Sequence, residues 1–560
     1  MYPQTPKWFD PDAVGLIRKE AVNPKEGKYP GLRPNLVEHI DGMEIIRDVA
    51  VPMRDGVKIY ADIFRAKTLT GSKLPTLMTW SPYGKHGPKT FDLFPGSGVP
   101  KGTVSRHAVW EGCDPLYWTK RGYVVLNGDS RGSWGSEGTL EILSPQIAYD
   151  GYDVIEWIAS QPWSNGRVGL CGVSYLAIVQ WRIAQLNPPH LSCINPWEGY
   201  TDAYRDHTHP GGIPETKFLH FSDWSCQFSA EKTENWYLSN QTHELMDDYN
   251  QSKRATDLPA IKVPAYIVID WGDHGLHTRG ALNGFTYISS KQKWLEVHGR
   301  KKWQYFYQES SLARQEAFYR KFLKDEPSEV DEWPPVYIEI RDQFYQGHWR
   351  DEQEWPLKRT RFAMKYLDSA SNELKDELPA DLSSVSYDST TEENAQFTYT
   401  FKQETELTGS MRLRLWVSTT ESDDLDLFVR LDKLDEKGET LPFVAFSMFD
   451  DGPLALGWLR ASHRELDPSF THHNRPWMKH QRKLLLRPGE IVPVDVEIVA
   501  SSTRFLEGES LKVTIQGTDA FSNDGVGPSM KHENSVNKGR HVIHTGSVFD
   551  SYLVTPIIDP

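Results

Sequence analysis

Ser174, Asp273, His298, Tyr83 and Tyr175 are the residues whose types and settings could do chemistry together. Ser174 lies in Arg167-Val168-Gly169-Leu170-Cys171-Gly172-Val173-Ser174-Tyr175-Leu176-Ala177, where a strand-like run passes through a Gly-x-Ser turn into an apolar helix expected over 176–186 and stopped by Pro188-Pro189. A serine on such a turn presents its hydroxyl above the sheet, close to the free N–H groups of the helix start. A hydroxyl is a weak nucleophile near neutral pH, so an imidazole must take its proton and a carboxylate must orient and balance that imidazole. Asp273 follows the apolar run Ala265-Tyr266-Ile267-Val268-Ile269, and His298 follows Trp294-Leu295-Glu296-Val297. The resulting chain order, nucleophile then acid then base, is that of α/β-hydrolases. The tetrahedral intermediate needs donors aimed at its oxyanion. The N–H of Tyr175 is the expected first donor and the phenol of Tyr83, on the turn after an early strand, the second.

Each assignment has a competitor. Asp270 comes first after its strand, but the turn to Asp273 projects further over the sheet edge. His274 and His277 sit beside the acid at a helix start, where solvated or supporting roles are expected of them; His298 alone directly follows a later apolar strand. His207-x-His209 resembles half a metal site without further spaced ligands, so no metal is expected. Trp197, Tyr200, Trp224 and Trp236 could line an acyl pocket, although core packing is the plainer reading of any one of them.

These residues need a scaffold. The 560 residues allow several domains, and 38% hydrophobic content with 12% aromatics is that of a globular chain. A net charge of −15 argues against nucleic acid as a partner. The four cysteines, Cys113, Cys171, Cys193 and Cys226, are scattered, which suggests neither zinc nor a disulfide framework. No run approaches the ~18 apolar residues of a membrane span, and the N-terminus has no signal-peptide pattern. A cytoplasmic protein with no membrane partner is expected, and a homo-oligomer is left open.

Residues 1–40 read as an irregular extension. Over 41–200, short apolar strands alternate with helical segments, the pattern of an α/β domain with a mostly parallel sheet and helices on both faces. Residues 201–262 turn aromatic and charged, with a helical stretch near 224–249, and read as an inserted helical cap. The strand pattern resumes over 263–330. Beyond it the period becomes two, as in Met411, Leu413, Leu415 and Val417, which makes 331–560 an antiparallel β-sandwich of jelly-roll type.

Read together, these segments resemble the cocaine-esterase and X-prolyl dipeptidyl-peptidase family of serine hydrolases, from residue 45 to the end. Pro52-Met53-Arg54-Asp55-Gly56-Val57 resembles its opening hairpin, Ser81-Pro82-Tyr83-Gly84 its oxyanion tyrosine loop, and Asp129-Ser130-Arg131-Gly132 with Gly135-Ser136-Glu137-Gly138 its D-x-R-G-x-G-x-S-x-G loop. Gly172-Val173-Ser174-Tyr175-Leu176 is similar to its nucleophile elbow and Trp271-x-Asp273 to its acid turn. Leu407-Thr408-Gly409, Asp424-x-Asp426, Gly457-x-Leu459-Arg460-Ala461-Ser462-x-Arg464 and Pro488-Gly489-Glu490 are similar to its C-terminal signatures. The resemblance implies a cofactor-free triad of Ser174, Asp273 and His298 with Tyr83 and Tyr175 as the oxyanion hole. Two features depart from the pattern. Ala177 stands where many relatives have glycine, and Val297-His298-Gly299-Arg300 replaces a G-P-W-x-x-H-type turn.

The expected activity is cleavage of a small ester or amide through an acyl-enzyme. The same residues would serve acyl transfer, or release of an X-Pro dipeptide if Glu198, Asp202 or Asp206 held the substrate's amino end. A non-catalytic binding protein is the reading from another class.

Overall fold

The computed structural model describes residues 10–85, 94–522 and 529–559. The N-terminal half is built on one sheet. Leu36–Ile40, Met43–Pro52 and Lys58–Ala66 form its antiparallel edge, the last two joined through the expected turn at Gly56, whose φ of 88° suits glycine. Lys58–Ala66 pairs with Val124–Asp129. From there the strands run parallel in the order Val124–Asp129, Leu74–Ser81, Ser164–Val173, Leu191–Trp197, Ala265–Asp270, Lys293–His298 and Val336–Gln343. Gln346–Glu352 pairs antiparallel with the last of these, so the sheet runs on past residue 330. Every residue of Val124–Asp129 and Ala265–Asp270 is buried, as expected of strands covered by helices on both faces. Pro145–Ser160 and Tyr175–Ala184 are the helices that flank the strand Ser164–Val173 in the chain. This is an α/β-hydrolase fold, with a β-rich domain after it.

Residues 10–40 do not hang free. Arg18–Lys19 pairs antiparallel with Thr233–Glu234, and Val22 bridges to Phe228, so this stretch lies along the 201–262 segment. Residues 1–9 lie outside the described residues.

That segment is not one helical stretch over 224–249. It is a chain of short helices, Phe218–Ser225, Trp236–Thr242 and Asp248–Ser252, preceded by a π-helical turn at Tyr204–Thr208. The breaks have local causes. Asn235 and Asp247 each accept a hydrogen bond from the backbone N–H three residues on, which starts a new helix at each. Just before the first of these, buried Glu234 takes the ammonium of Lys253 at 2.8 Å, the hydroxyl of Tyr249 at 2.8 Å and the N–H of Ile142 at 2.7 Å, fastening the segment to the hydrolase body. Removing one partner of such a buried pair costs about 3–5 kcal/mol.

In the C-terminal domain, Thr405–Thr419 pairs antiparallel with Val492–Phe505, Arg540–Thr545 and Tyr552–Ile558. A second group sets Asp426–Leu434 between Ala455–Arg460 and Ser510–Gln516. The alternation read from the sequence becomes burial: Met411, Leu413, Leu415 and Val417 face one core with Val494, Val496, Ile498, Leu511, Val513 and Ile515. The two domains are locked by charge. Arg279 bonds Asp206 and Glu497, each at 2.8 Å, and Arg475 bonds Glu497 at 2.9 Å and Asn283 at 2.7 Å. Backbone joins them too, where the N–H of Phe446 reaches Gly272 O at 2.8 Å. Among the described residues, no helix is long and apolar enough to cross a membrane.

Candidate active site

Ser174 sits between Ser164–Val173 and Tyr175–Ala184 with φ 58° and ψ −119°, a region costly for any side-chain-bearing residue. The surroundings hold it there. Ser174 N–H donates to Trp197 O at 3.0 Å, Val173 N–H to Glu111 O at 3.0 Å, and Ser174 O receives the N–H groups of Ala177 and Ile178 at 2.8 Å. Two glycines make room. A Cβ on Gly172, itself at φ 134°, would come within 2.5 Å of Leu176 Cβ, and one on Gly199 within 2.6 Å of Ala177 Cβ. Ala177 thus occupies space that the neighbouring strand end yields by having glycine.

The histidine at Ser174 is His277. Its Nε2 lies 3.1 Å from Ser174 Oγ, from the N-cap of the helix Thr278–Tyr287. His298 is turned elsewhere: it is the last residue of its strand, accepts the N–H of Arg300 on Nδ1 at 3.1 Å, and directs Nε2 at Glu198, 3.3 Å away. Burial pushes the His298 imidazole down to about 4 and the Glu198 carboxyl well up. The expected placement of His298 beside the nucleophile is therefore corrected: His277 stands there. A strand's last residue is still directed by the sheet, whereas the turn after Asp273 carries His277 back over the nucleophile.

His277 is held neutral, pushed well below the ordinary histidine range by burial first and then by the nearby Lys302 ammonium and His207. Its ring stacks on Tyr200 with centroids 5.5 Å apart, and its Nδ1 meets no hydrogen-bond partner among the described residues. Asp273 approaches the same nitrogen as Ser174, with Oδ2 4.0 Å from Nε2, so it does not orient the imidazole from the far side. Its nearer partner is Lys302, at 3.2 Å. Burial disfavours the Lys302 charge, but Asp273, Glu198 and Glu111 outweigh that and raise it above the usual lysine range. Burial also raises Glu111 to about 8, despite Lys302 and a 2.9 Å hydrogen bond from Trp303 Nε1. Asp270 spends Oδ1 on the N–H of Gly272 at 2.7 Å, stabilising the turn that carries Asp273.

Tyr83 is half-buried on the turn after Leu74–Ser81, its ring 5.6 Å from that of Tyr175, and burial raises its phenol so that it stays a donor. With Trp110, Trp134, Phe221, Trp224 and Phe228 it lines a narrow aromatic cleft. Of the aromatic residues expected at the pocket, Trp224 lines this cleft at 43% exposure and Tyr200 backs His277. Trp197 does not line it; it is core, edge-on to Phe306 at 5.0 Å, and Trp236 is buried against His207. His207 and His209 part company, the second stacking on Tyr204 at 4.6 Å. All four cysteines are free and buried. A cleft of about 660 Å³ at the domain junction is lined by Arg279, Trp355, Phe362 and His473 and by neither Ser174 nor His277.

A CocE/NonD family hydrolase from Staphylococcus aureus is 38% identical, with 97% of this chain and 100% of that one superposing at a TM-score of 0.89. The chain belongs to the CocE/NonD, X-Pro dipeptidyl-peptidase-like family of hydrolases. Within that family, residues 55–232 match the X-Pro dipeptidyl-peptidase (S15 family) model, and 328–554 match the X-Pro dipeptidyl-peptidase C-terminal non-catalytic domain. Cocaine esterase from a Rhodococcus species is 24% identical over 93% of this chain and 100% of its own length. An α-amino acid ester hydrolase, 17% identical over 94% of this chain and 98% of its own with a TM-score of 0.70, shares the fold.

For this CocE/NonD hydrolase, sequence reasoning missed Lys302 and Glu111 as neighbours of the site, offered Glu198 only as a holder of a substrate's amino end, and gave His277 a supporting role beside His274. A signal existed for His277, which lies four residues after Asp273 at a helix start. For Lys302 the signal was a lysine opening the aromatic run Trp303-Gln304-Tyr305-Phe306-Tyr307 just after the last parallel strand before 330.

Proposed function

We propose that this serine-hydrolase relative cleaves a small ester or amide through an acyl-enzyme formed on Ser174, with His277 as general base. The observation that carries the reading is the 3.1 Å contact between Ser174 Oγ, on its strained elbow, and Nε2 of a neutral imidazole. Ser174 Oγ attacks the substrate carbonyl and passes its proton to His277 Nε2. The imidazolium that forms faces the Asp273 carboxylate at 4.0 Å, a separation worth about 4 kcal/mol at an effective dielectric of ~20. Tyr175 N–H and Tyr83 O–H receive the oxyanion, the leaving group takes the proton from His277, and water repeats the sequence to release the acid. The same reading takes 201–262 as the cap over the acyl pocket and the C-terminal domain as a jelly roll bracing it, with no cofactor required.

The carboxylates at hand favour an ordinary ester or amide over an X-Pro peptide. Asp202 is spent on Arg205 at 2.8 Å and Arg254 at 3.0 Å, Asp206 on Arg279, and Glu198 is fully enclosed beside His298. None is offered to a substrate ammonium. The test is a panel of p-nitrophenyl acyl esters and an X-Pro-nitroanilide, with a fluorophosphonate probe. Ester turnover and labelling that both vanish in Ser174→Ala are expected; full activity in that variant would sink the proposal.

A further inference from the structure

The oxyanion tyrosine sits on a turn whose far side is held by a buried cation. Lys85, two residues after Tyr83, donates its backbone N–H to Asp129 Oδ1 at 2.7 Å and its ammonium to Asp129 Oδ2 at 3.0 Å and Asp48 Oδ1 at 2.6 Å, with Asp62 3.9 Å away. The Lys85 side chain is 1% exposed, and the three carboxylates come from three strands, Met43–Pro52, Lys58–Ala66 and Val124–Asp129. The turn is gripped again on its near side. Trp134 Nε1–H donates to Pro82 O at 3.0 Å, and Ser130 N–H to Ser81 O at 3.2 Å. Gly84, at φ 91°, lets the turn lie flat on Trp134, since a Cβ there would come within 2.3 Å of the indole.

Burying one ammonium among three carboxylates is an expensive way to close a loop, because each charge gives up water and the cluster needs Arg47 on Asp62 at 2.8 Å to offset its excess negative charge. A wholly apolar set of side chains in place of the cluster would fill the same space at less cost. What it would lack is direction: Asp129 takes both the main chain and the side chain of one residue, which fixes the position and the orientation of the turn together.

We propose that Lys85, through Asp129, is a positioning residue that sets where the Tyr83 phenol stands over Ser174. The inference rests on the reading of Tyr83 as an oxyanion donor. The Asp129-Ser130-Arg131-Gly132 loop then has a part in the reaction without touching substrate, its first carboxylate holding a turn that belongs to another strand.

A double-mutant cycle on a p-nitrophenyl ester tests this. Tyr83→Phe should lower kcat about 100-fold. Lys85→Met should lower kcat at least tenfold with KM within about threefold, and adding Tyr83→Phe to it should cost little more, since a phenol already displaced has little left to lose. If Lys85→Met does not fold by circular dichroism, Asp129→Asn, which keeps an acceptor for the Lys85 N–H but removes its charge, enters the same cycle. A Tyr83→Phe enzyme with unchanged kcat would overturn the oxyanion reading on which this stands. A slow Tyr83→Phe enzyme combined with an unaffected kcat in the Lys85 or Asp129 variant, or with fully multiplicative losses, would overturn the positioning role itself.

Discussion

At the scale of single residues, two histidines separate two readings of one site. His277→Ala should lower kcat on an aryl ester by about 10³-fold or more, while His298→Gln leaves kcat of the folded enzyme within about tenfold; steady-state kinetics on the two purified variants decides. The working base must be neutral, and burial with the Lys302 charge depresses His277, so kcat/KM should stay level as pH falls through 6.5 and lose activity only well below it. A limb at the ordinary histidine value in the pH–rate profile would contradict that assignment. Glu111 gives a stability test with a defined sign. Its carboxyl holds a proton to about 8 in the folded chain against 4.5 when free, so its contribution is full below about pH 4.5 and is lost as pH rises toward 8. Glu111→Gln should match the parent in urea midpoint at low pH and exceed it at pH 8.5; parallel curves would refute the shift. Ser174 was legible because glycine spacing and a strand-to-helix change mark an elbow locally. The histidine was not, because a turn's direction is set by tertiary contacts such as Phe446 on Gly272, which no local pattern encodes.

At the scale of elements, the elbow depends on close backbone approach. Gly199→Ala would set a methyl 2.6 Å from Ala177 Cβ and 2.8 Å from Ala177 C and Ile178 N, so the helix Tyr175–Ala184 must move outward. A loss of about 1–3 kcal/mol is expected, with slower fluorophosphonate labelling of Ser174. Ala177→Gly added to it should recover part of both, because the two backbone contacts remain. The parallel strands and the antiparallel β-rich half were readable because hydrophobic periodicity reports burial directly, as Ala265–Asp270 and Thr405–Thr419 show. The 201–262 segment was harder. Its helices are short, and its breaks are set by side chains such as Asn235 and Asp247 that could equally stand within polar helix faces.

At the scale of the whole molecule, the two domains share the site. Arg279, two residues past His277, is tied to Glu497 of the C-terminal domain, and Gly272, one residue before Asp273, receives the N–H of Phe446. Glu497→Gln leaves Arg279 and Arg475 short of a buried counter-charge and should cost about 3–5 kcal/mol, read as a lowered melting temperature, with kcat falling before the fold is lost. A melting temperature unchanged by that substitution would mean that the junction is held by packing alone. The tie between Gly272 and Phe446 also has a bearing on how the protein is born. Ser174, Asp273 and His277 all leave the ribosome before residue 446 exists, so the acid turn has no seat while the nucleophile is already made. Ribosome-bound chains stalled short of residue 446 should therefore react sluggishly with fluorophosphonate, and full-length chains held on the ribosome by a linker long enough to clear the exit tunnel should react fast. On the mechanism proposed above, the serine is made early and armed late, which would keep an acyl-transferring hydroxyl quiet during the interval when the growing chain is least able to shield it.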